Sequence, residues 1–568
     1  MKRYRWKCFM PHEETVAALS ESINVSQPIA RALCNRGIST YNEAKEFFRP
    51  VLSTLHSPWL FNDMERAVER LVRALKNGET ILLYGDYDVD GTTGVALLLL
   101  FLRHHGVEPL WHINDRFAEG YGLSPEGIDR VIASGTTLLI TVDCGIKDHA
   151  AIRRCGEHGV EVIVCDHHEA DVTPEAYAIL NPKVVGSGYP FRELCGCAVA
   201  FKLVQALAER LGDSEAVWHQ FLDLVAVATA ADLVSLTGEN RTLVIEGLQQ
   251  MRSKPRKNFS EMFRVMKVSL GDVRMFHLAF GIAPRINAAG RMHSAHLALE
   301  WLLASAPDAV EQHTEALERV NVQRRSLDST IMSQADKMVE SHCASYCSSI
   351  VLYDEAWHLG VLGIVASKLI DKYYLPTVVL GGMNGLVRGS VRSIEGLNIH
   401  AVLQHCSHHL EQFGGHHQAA GLTLKPENLA VFRKAFDEQC ANQLTIEQRQ
   451  KVMEIDAVVE LEQITDKFIA VLEQFAPYGI GNREPLFMSE RLQLAEPARL
   501  LKERHVKFAV RDKQKRRFEV IGFNRPDIYN DLRAVKHPTI TMLYTIERRQ
   551  WNGMWQVQLL LKDLEVQR

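Results

Sequence analysis

The sequence predicts an α/β protein in which two α/β lobes are joined by a long helix and followed by a small C-terminal β-barrel. Short apolar runs alternate with helical patterns from about residue 46 to 250, which predicts a mainly parallel sheet with covering helices. A second α/β pattern extends from about 348 to 445, and between the two lies a charged helical stretch nearly free of Gly and Pro. Closely spaced strand-like runs near the end of the chain favour a barrel. They are His505 to Arg511, Arg516 to Phe523, Thr539 to Glu547 and Gln556 to Lys562.

Length and composition describe an ordinary globular protein with several domains. The chain has 568 residues, and single cores seldom grow beyond roughly 250 to 300 residues. Hydrophobic content is 46%, charged content is 23%, and the net charge is −5. A polyanionic partner would therefore need local basic patches, and the total charge neither supports nor excludes nucleic acid.

We expect a cytoplasmic protein without a membrane span. The 11 cysteines form no paired framework, which favours reduced thiols. The basic N-terminus lacks the apolar core of a signal peptide. The longest apolar run, Val95 to Leu102, is far shorter than the roughly 20 residues that span a bilayer.

A first candidate metal site directly follows an apolar strand in the first lobe. Asp86, Asp88 and Asp90 occupy alternate positions, so their carboxylates can converge, and at neutral pH they repel one another unless a cation joins them. A calcium EF-hand needs Glu at its twelfth position, where this chain has Leu97, and no lysine completes a Walker loop. A solvated acidic turn remains the alternative for this stretch taken alone.

Further polar residues follow the next elements of the first lobe. Asp143 ends a second apolar strand, Asp166, His167 and His168 end a third, and Asp232 follows a helical stretch. An open α/β sheet places its site at the carboxyl ends of its strands. Oxygen ligands with His nitrogen suit Mn²⁺ or Mg²⁺, whereas zinc more often recruits Cys. Taken singly, each could be a helix cap, a core imidazole or a turn residue.

Several other segments could bind phosphate. Arg116 lies in a polar loop, Arg285 and Arg291 flank small residues, and Arg392 with nearby serines could cradle a terminal phosphate. Solvated arginines or helix caps are the alternatives. His405 and His409 have a zinc-compatible spacing, but the apolar stripe of the same helix favours a solvated histidine face.

Aromatic residues of the predicted barrel lie among Lys and Arg residues, a mixture that suits single-stranded nucleic acid because bases stack on rings and cations follow the backbone. Many of these rings must be core, and the sequence does not decide which face binds. The rings are Phe508, Phe518, Phe523, Tyr544, Trp551 and Trp555.

The order Asp-x-Asp-x-Asp-Gly, Val-Asp-Cys-Gly, Asp-His-His and Ala-Asp resembles the DHH phosphoesterase superfamily. The segment from Pro284 to Met292 is similar to a signature of its bacterial exonucleases specific for single-stranded DNA, and Gly414-Gly415-His416 resembles its DHH-associated substrate-binding domain. The resemblance implies an OB-type fold for the barrel. We therefore predict a lead-in (1–45), a DHH catalytic domain (46–295), a helical connector (296–345), a DHH-associated domain (346–450) and an OB-fold domain (451–568).

The same resemblance implies the roles of the site residues. Two Mn²⁺ or Mg²⁺ ions would share Asp143, the catalytic residues would be Asp143 and His168, with His168 on the scissile phosphate, and Asp166 would orient an imidazole. The implied metal ligands are Asp86, Asp88, Asp90, Asp143, His167 and Asp232. The implied substrate-binding residues are Arg116, Arg285, Arg291, Ser390, Arg392, Ser393 and His416.

The resemblance further implies a monomeric, two-metal exonuclease of DNA repair and recombination, which degrades single-stranded DNA from 5′ to 3′ and releases 5′-mononucleotides. It suggests cooperation with a single-strand-binding protein and a helicase. A phosphodiesterase for cyclic dinucleotides or very short RNA would need neither the barrel nor the segment from Pro284, and a non-catalytic binding protein would not need the full ligand set. Tyr84 replaces the ligand histidine of the pyrophosphatase branch, which weakens that assignment and leaves Asp86 as the substitute ligand.

Overall fold

The computed structural model describes residues 4–342, 347–551 and 554–567. Its first elements form a small helical segment with one strand. They are β1 (Tyr4–Cys8), α1 (Glu13–Ser22), α2 (Gln27–Cys34) and α3 (Tyr41–Phe48).

A five-stranded parallel sheet forms the centre of the first lobe. Its elements are α4 (Met64–Asn77), β2 (Ile81–Gly85), α5 (Val89–His104), β3 (Leu110–Ile113), α6 (Pro125–Ala133), β4 (Leu138–Val142), α7 (His149–Glu157), β5 (Glu161–Cys165), β6 (Ala178–Leu180) and α8 (Gly196–Leu211). The strand order is β3-β2-β4-β5-β6, and every neighbouring pair is parallel. Helices α5 and α8 cover one face, and α6 and α7 cover the other. Because all strands point the same way, the polar residues after β2, β4 and β5 lie at one edge of the sheet.

A helical layer completes the first lobe and leads into the connector. It contains α9 (Glu215–His219), α10 (Leu222–Ala231), α11 (Gly238–Ser253), α12 (Lys257–Val265), α13 (Met275–His277), α14 (Ala283–Met292), α15 (His296–Leu303) and α16 (Pro307–His342). A π-helical turn, Leu278–Ile282, joins α13 to α14. The 36-residue α16 is the predicted long helix, whereas α15 is a separate short helix that packs on α5. The predicted connector end at residue 345 falls outside the described residues.

The second lobe is built on a mixed sheet. Its elements are β7 (Ile350–Tyr353), α17 (Leu359–Tyr373), β8 (Thr377–Met383), β9 (Leu386–Arg392), α18 (Ile399–His405), β10 (Gln412–Gly415), β11 (Ala419–Leu424) and α19 (Leu429–Gln443). The order is β10-β11-β9-β8-β7, with only β7 and β8 parallel. Helix α18 ends at His405, and His409 lies in the following 3₁₀ turn. The predicted single helix carrying both histidines was therefore wrong; His405 is exposed and His409 is partly exposed, which agrees with solvated histidines rather than a zinc site.

The C-terminal strands close into a barrel. The elements are β12 (Lys451–Ile455), β13 (Ala457–Val458), α20 (Asp466–Glu473), β14 (Phe487–Leu501), β15 (His505–Arg511), β16 (Arg517–Gly522), α21 (Pro526–Arg533), β17 (Thr539–Trp551) and β18 (Met554–Gln567). Strands β14-β15-β16-β18-β17 form a ring that β14 closes by pairing with β17. The predicted α/β lobes, long helix and OB-type barrel are thus confirmed.

The N-terminal segment belongs physically to the barrel. Strand β1 pairs in parallel with β12, and α1, α2 and α3 contribute side chains to the same hydrophobic core as the barrel strands. Phe508, Phe518 and Tyr544 are core rings, whereas Phe523 and Trp555 are half exposed. The Trp551 side chain lies outside the described residues. None of the described helices has the length and apolar character that a membrane crossing requires.

Candidate metal centre and nucleic-acid cleft

The turn after β2 is fixed by local geometry that only a few residue types permit. Asp88 caps α5 by accepting hydrogen bonds from the amides of Asp90 (2.9 Å) and Gly91 (3.2 Å). A Cβ on Gly91 would stand 2.5 Å from the carbonyl oxygen of Asp86, so this position requires glycine. The tight turn holds Asp86 and Asp90 buried on the same side of the sheet edge.

The N-terminus of α8 holds Asp90 in place. The amides of Gly196 and Cys197 donate to the two carboxylate oxygens of Asp90, at 2.5 and 2.8 Å. Free amides at a helix N-terminus favour negative charge. The residue that the sequence predicts as a metal ligand is therefore oriented by a helix more than a hundred positions later in the chain.

Asp143, His167 and Asp232 complete the centre. Asp143 has a φ of 61°, a left-handed conformation that costs energy for a residue with a side chain and that clusters at functional sites. The Nε2 atom of His167 lies 3.1 Å from an Asp143 oxygen, 3.6 Å from an Asp232 oxygen and 3.7 Å from an Asp90 oxygen. The residues that follow β4, β5 and α10 thus converge with Asp90 of α5 on one point.

The donor atoms fall into two principal groups. Asp90, His167 and Asp232 form one, and Asp86, Asp88 and Asp143 form the other, with the ligand atoms of each within 4.8 Å of one another. Asp143 also groups with His167 and His168, so it lies between the two sets. Buried oxygens of Asp86 and Asp232 have no hydrogen-bond partner in the described part of the chain. Clustered, unpaired oxygens with one imidazole fit a pair of hard divalent cations.

The electrostatics of the centre also favour bound cations. Burial, then the charge of Asp88, raises the pKa of Asp90 to about 6. Burial, then neighbouring carboxylates, raises the pKa of Asp86, Asp143 and Asp232 well above the ordinary value. Burial lowers the pKa of His167 to about 3, so its imidazole is neutral and able to bind a metal.

His168 is oriented by two neighbours beside this centre. Its Nδ1 atom lies 2.8 Å from Asp166 and 3.0 Å from the Tyr121 hydroxyl. Burial opposes ionisation of Asp166, but the hydrogen bond and charge of His168 and the Ile146 amide lower its pKa to about 2. Asp166 therefore stays ionised and fixes the neighbouring imidazole, which agrees with the predicted positioning role.

Three of the predicted phosphate-binding arginines gather beside the acidic centre. The Arg116 guanidinium stacks over the Tyr87 ring at 4.0 Å, and its buried Nε has no partner among the described groups. Burial and the charges of Arg116, Arg392 and Arg324 lower the pKa of Arg291 to about 10, while Asp88 opposes the shift. Ser390 and Arg392 face Gly363 of α17, whose missing Cβ leaves room for them. Positively charged side chains thus lie beside the acidic centre.

Comparison with known proteins identifies the family. A family model of the DHH N-terminal domain matches residues 80–229, a DHHA1 model matches 344–442, and a RecJ OB model matches 455–563. The single-stranded-DNA-specific exonuclease RecJ of Bacillus subtilis is 34% identical over 99% of this chain and 71% of its own length. The chain belongs to the RecJ family. The Haemophilus influenzae RecJ is 32% identical over 92% of this chain and 93% of its own.

Two solved RecJ structures share the architecture of this chain. The Mn²⁺ complex of Thermus thermophilus RecJ superposes with a TM-score of 0.85 at 28% identity, covering 100% of this chain and 80% of that one. The Mg²⁺ complex from the same organism gives a TM-score of 0.77, also at 28% identity, over 99% of this chain and 78% of that one.

Two of the predicted substrate-binding residues make hydrogen bonds within the protein. Arg285 donates to Glu318 (2.5 Å) and to the Gly281 carbonyl oxygen, so α16 and the π-helical turn hold its guanidinium. The Ser393 hydroxyl donates to the Leu397 carbonyl oxygen at 2.8 Å. Both side chains thus make hydrogen bonds within the protein, and their substrate-binding role stays a prediction.

His416 does reach across from the second lobe. It is exposed, and burial, then the charges of Lys147 and His168 in the first lobe, lowers its pKa. The Gly-Gly-His element of the second lobe is therefore near His168, and a substrate-binding role for His416 stays a prediction.

The sequence did not reveal the helix-terminal amides of Gly196 and Cys197, the Tyr121 hydroxyl or Arg324. The sequence does show that Tyr121 and Gly196 lie in glycine-containing segments. Which carboxylate or imidazole such segments contact depends on the packing of distant elements.

Proposed function

We propose that this RecJ-family chain is a metal-dependent exonuclease that degrades single-stranded DNA from 5′ to 3′ and releases 5′-mononucleotides. The observation that carries the proposal is the pair of acidic groups around Asp143, set beside Arg116, Arg291 and Arg392. Relatives at 32 to 34% identity are named single-stranded-DNA-specific exonucleases, and related RecJ structures hold Mn²⁺ or Mg²⁺.

The six predicted ligands fit two divalent cations, Mn²⁺ or Mg²⁺. Asp90, His167 and Asp232 would hold one ion, Asp86 and Asp88 the other, and Asp143 would contribute to both. When bound, such ions supply a water of low pKa and neutralise charge at a phosphate. Around them, His168 donates to a phosphate oxygen through the nitrogen that Asp166 leaves free, and Asp166 keeps the ring aligned.

The proposed polarity depends on where the terminal phosphate sits. Arg116, Arg291 and Arg392, with the Ser390 hydroxyl, provide donors of the kind that recognise a phosphate dianion. A 5′ phosphate seated there would place the first phosphodiester bond beside Asp143. Cleavage at that bond releases one 5′-mononucleotide and leaves a new 5′ phosphate for the next cycle.

The resemblance to RecJ supports a role in DNA repair and recombination, in the cytoplasm. We propose that the chain acts as a monomer and cooperates with a helicase, which supplies single strands, and with a single-strand-binding protein. Co-purification of either partner, followed by faster degradation of coated or duplex DNA in its presence, tests this part.

The experiment is a time course with Mn²⁺ and 5′-phosphorylated DNA, single- or double-stranded, labelled at either end. We expect early release of a labelled mononucleotide from the 5′ end of single strands only. Asp143→Ala should abolish release, and the exposed Asp171→Asn should not. Early release from the 3′ end would contradict the polarity. Intact DNA together with cleavage of cyclic dinucleotides would favour the phosphodiesterase alternative.

A further inference from the structure

Two aromatic rings are exposed on the helix that leads to Arg291. Phe276 is 64% exposed and Phe280 is 71% exposed. Their ring centroids are 5.1 Å apart and the ring planes are inclined at 35°. Large rings exposed as a contiguous pair are uncommon on a protein surface unless they contact a partner.

The pair continues a stripe of accessible positions toward the acidic centre. Between residues 281 and 290 only Pro284 and Asn287 are not buried, and Arg291 follows at the same helical spacing. The stripe therefore runs from the two rings through Pro284 and Asn287 to Arg291, on one side of the helical segment.

The inner end of the stripe lies at the candidate site. Arg291 interacts electrostatically with Arg116, Arg392 and Asp88. At the neighbouring Gly290, a Cβ would stand 2.9 Å from the carbonyl oxygen of Tyr87, in the turn that carries the first aspartates. Helix α14 therefore contacts that turn directly, and the rings lie farther out along the same surface.

We propose that Phe276 and Phe280 form a stacking platform for bases of the single-stranded substrate, outside the site of hydrolysis. The inference rests on the proposed function. Aromatic faces stack on any base, so such a platform binds single strands without reading their sequence. Paired bases in a duplex do not expose their faces, so the platform also favours single strands over duplexes.

Helix geometry predicts which nucleotides use the platform. At roughly 1.5 Å per residue, Phe280 lies about 16 Å and Phe276 about 22 Å from Arg291 along the helix. A stacked strand advances about 3.4 Å per nucleotide, so the rings meet bases around the fifth to seventh nucleotide from the bound end. Oligonucleotides of three residues are too short to reach them.

The test compares 5′-phosphorylated dT15 and dT3 in the full-length protein. For Phe276→Ala/Phe280→Ala, we expect kcat/KM on dT15 to fall about fivefold or more, mainly through KM, with dT3 cleavage within about twofold of the unmodified protein. Phe276→Trp/Phe280→Trp should cleave dT15 as efficiently as the unmodified protein, because tryptophan rings also stack on bases. Phe276→Leu/Phe280→Leu, which lacks aromatic rings, should be as impaired as the alanine pair. The exposed ring of Tyr41, on α3, provides the control variant Tyr41→Ala.

A substrate change gives an independent readout. Abasic sites at nucleotides 5 to 7 of dT15 should weaken binding to the unmodified protein and cause no further loss in the alanine pair. The platform would be overturned if the alanine pair lost kcat/KM equally on dT3 and dT15. It would also be overturned if the abasic sites weakened binding as much in the alanine pair as in the unmodified protein. If the unmodified protein cleaves neither oligonucleotide, the proposed function fails rather than the platform.

Discussion

Gly196 lies so close to Asp143 that a Cβ on the glycine would stand 2.7 Å from the Cβ of the aspartate and 2.8 Å from its Cα. The same residue donates its amide to Asp90 at 2.5 Å. The N-terminus of α8 can therefore approach the acidic centre only because this position has no side chain. Two candidate ligands depend on one glycine.

Gly196→Ala is expected to displace the start of α8 from the centre, because backbone atoms of Asp143 cannot yield as a flexible side chain does. We predict a loss of activity of about 10- to 100-fold, the range for residues that orient metal ligands, with a weaker apparent Mn²⁺ affinity. Calorimetric titration measures the Mn²⁺ affinity, and degradation of single-stranded DNA measures the activity.

Gly156 in α7 provides the matched control. A Cβ at this position meets no atom within 4 Å, so Gly156→Ala should leave activity unchanged and should not lower the melting temperature. Equal effects of the two substitutions would show that α8 tolerates a side chain at residue 196.

Asp166→Asn tests the alignment of His168. The carboxylate accepts from the His168 ring nitrogen at 2.8 Å and from the Ile146 amide at 3.0 Å. An amide side chain keeps the shape but removes the charge, so the ring loses its fixed orientation. We predict a fall in kcat of about 10- to 100-fold, with KM little changed. A larger change in KM than in kcat would contradict this role.

The stabilisation by Mn²⁺ should increase from pH 6 to pH 8. The pKa of Asp90 is raised to about 6, and those of Asp86 and Asp143 lie well above the ordinary value, chiefly because of burial. A carboxyl with a raised folded-state pKa stabilises the protein fully below its unfolded pKa of about 3.9, and that contribution is lost as pH rises through the folded value. The metal-free protein therefore weakens as these groups ionise, whereas cations bind the ionised form.

Melting temperatures with and without Mn²⁺ at the two pH values measure this difference. The pKa of His167, about 3, keeps its imidazole neutral throughout the window. Asp143→Asn should reduce both the rise in melting temperature that Mn²⁺ causes and the pH dependence of that rise. A rise that is larger at pH 6 than at pH 8 would contradict the prediction.

Breaking one buried ion pair should destabilise the first lobe. Lys202 and Glu239 are 0% and 4% exposed, and Glu239 accepts from Lys202 (2.8 Å), the Tyr189 hydroxyl (2.6 Å) and the His56 amide (2.7 Å). Glu239→Gln leaves an uncompensated buried ammonium, and such a loss costs about 3 to 5 kcal/mol. The double variant with Lys202→Met should recover part of that stability in urea unfolding, and no recovery would argue against an uncompensated charge.

Arg241 should determine how firmly the barrel is attached. This arginine of α11 is 3% exposed, stacks over Phe47 at 4.0 Å, and donates to the carbonyl oxygens of Gln474 and Phe475 at 2.9 and 3.0 Å. Arg241→Met leaves the buried Phe475 carbonyl oxygen unpaired, at a cost of about 1 to 3 kcal/mol. We expect earlier proteolytic release of the barrel, whereas Arg264→Met, which removes an exposed ion pair, should have no such effect.

Much of the architecture and the candidate ligand set could be predicted from the sequence. Alternating apolar and helical patterns determined the two lobes, and the strand-like runs from His505 onward correspond to β15 to β18. Strand β14 escaped prediction because many of its positions are polar and partly exposed. Its pairing with β15 and β17, rather than its hydrophobicity, makes it a strand.

The sequence by itself determined that Asp86, Asp88, Asp90, Asp143 and His167 lie near one edge of a parallel sheet, because strand direction and local spacing are encoded in neighbouring residues. Only the tertiary structure decided that Gly196 holds Asp90, that Arg285 donates to Glu318, and that β1 pairs with β12. Each of these contacts joins residues that are distant in the chain. Their geometry depends on how whole elements pack, and the local sequence does not contain it.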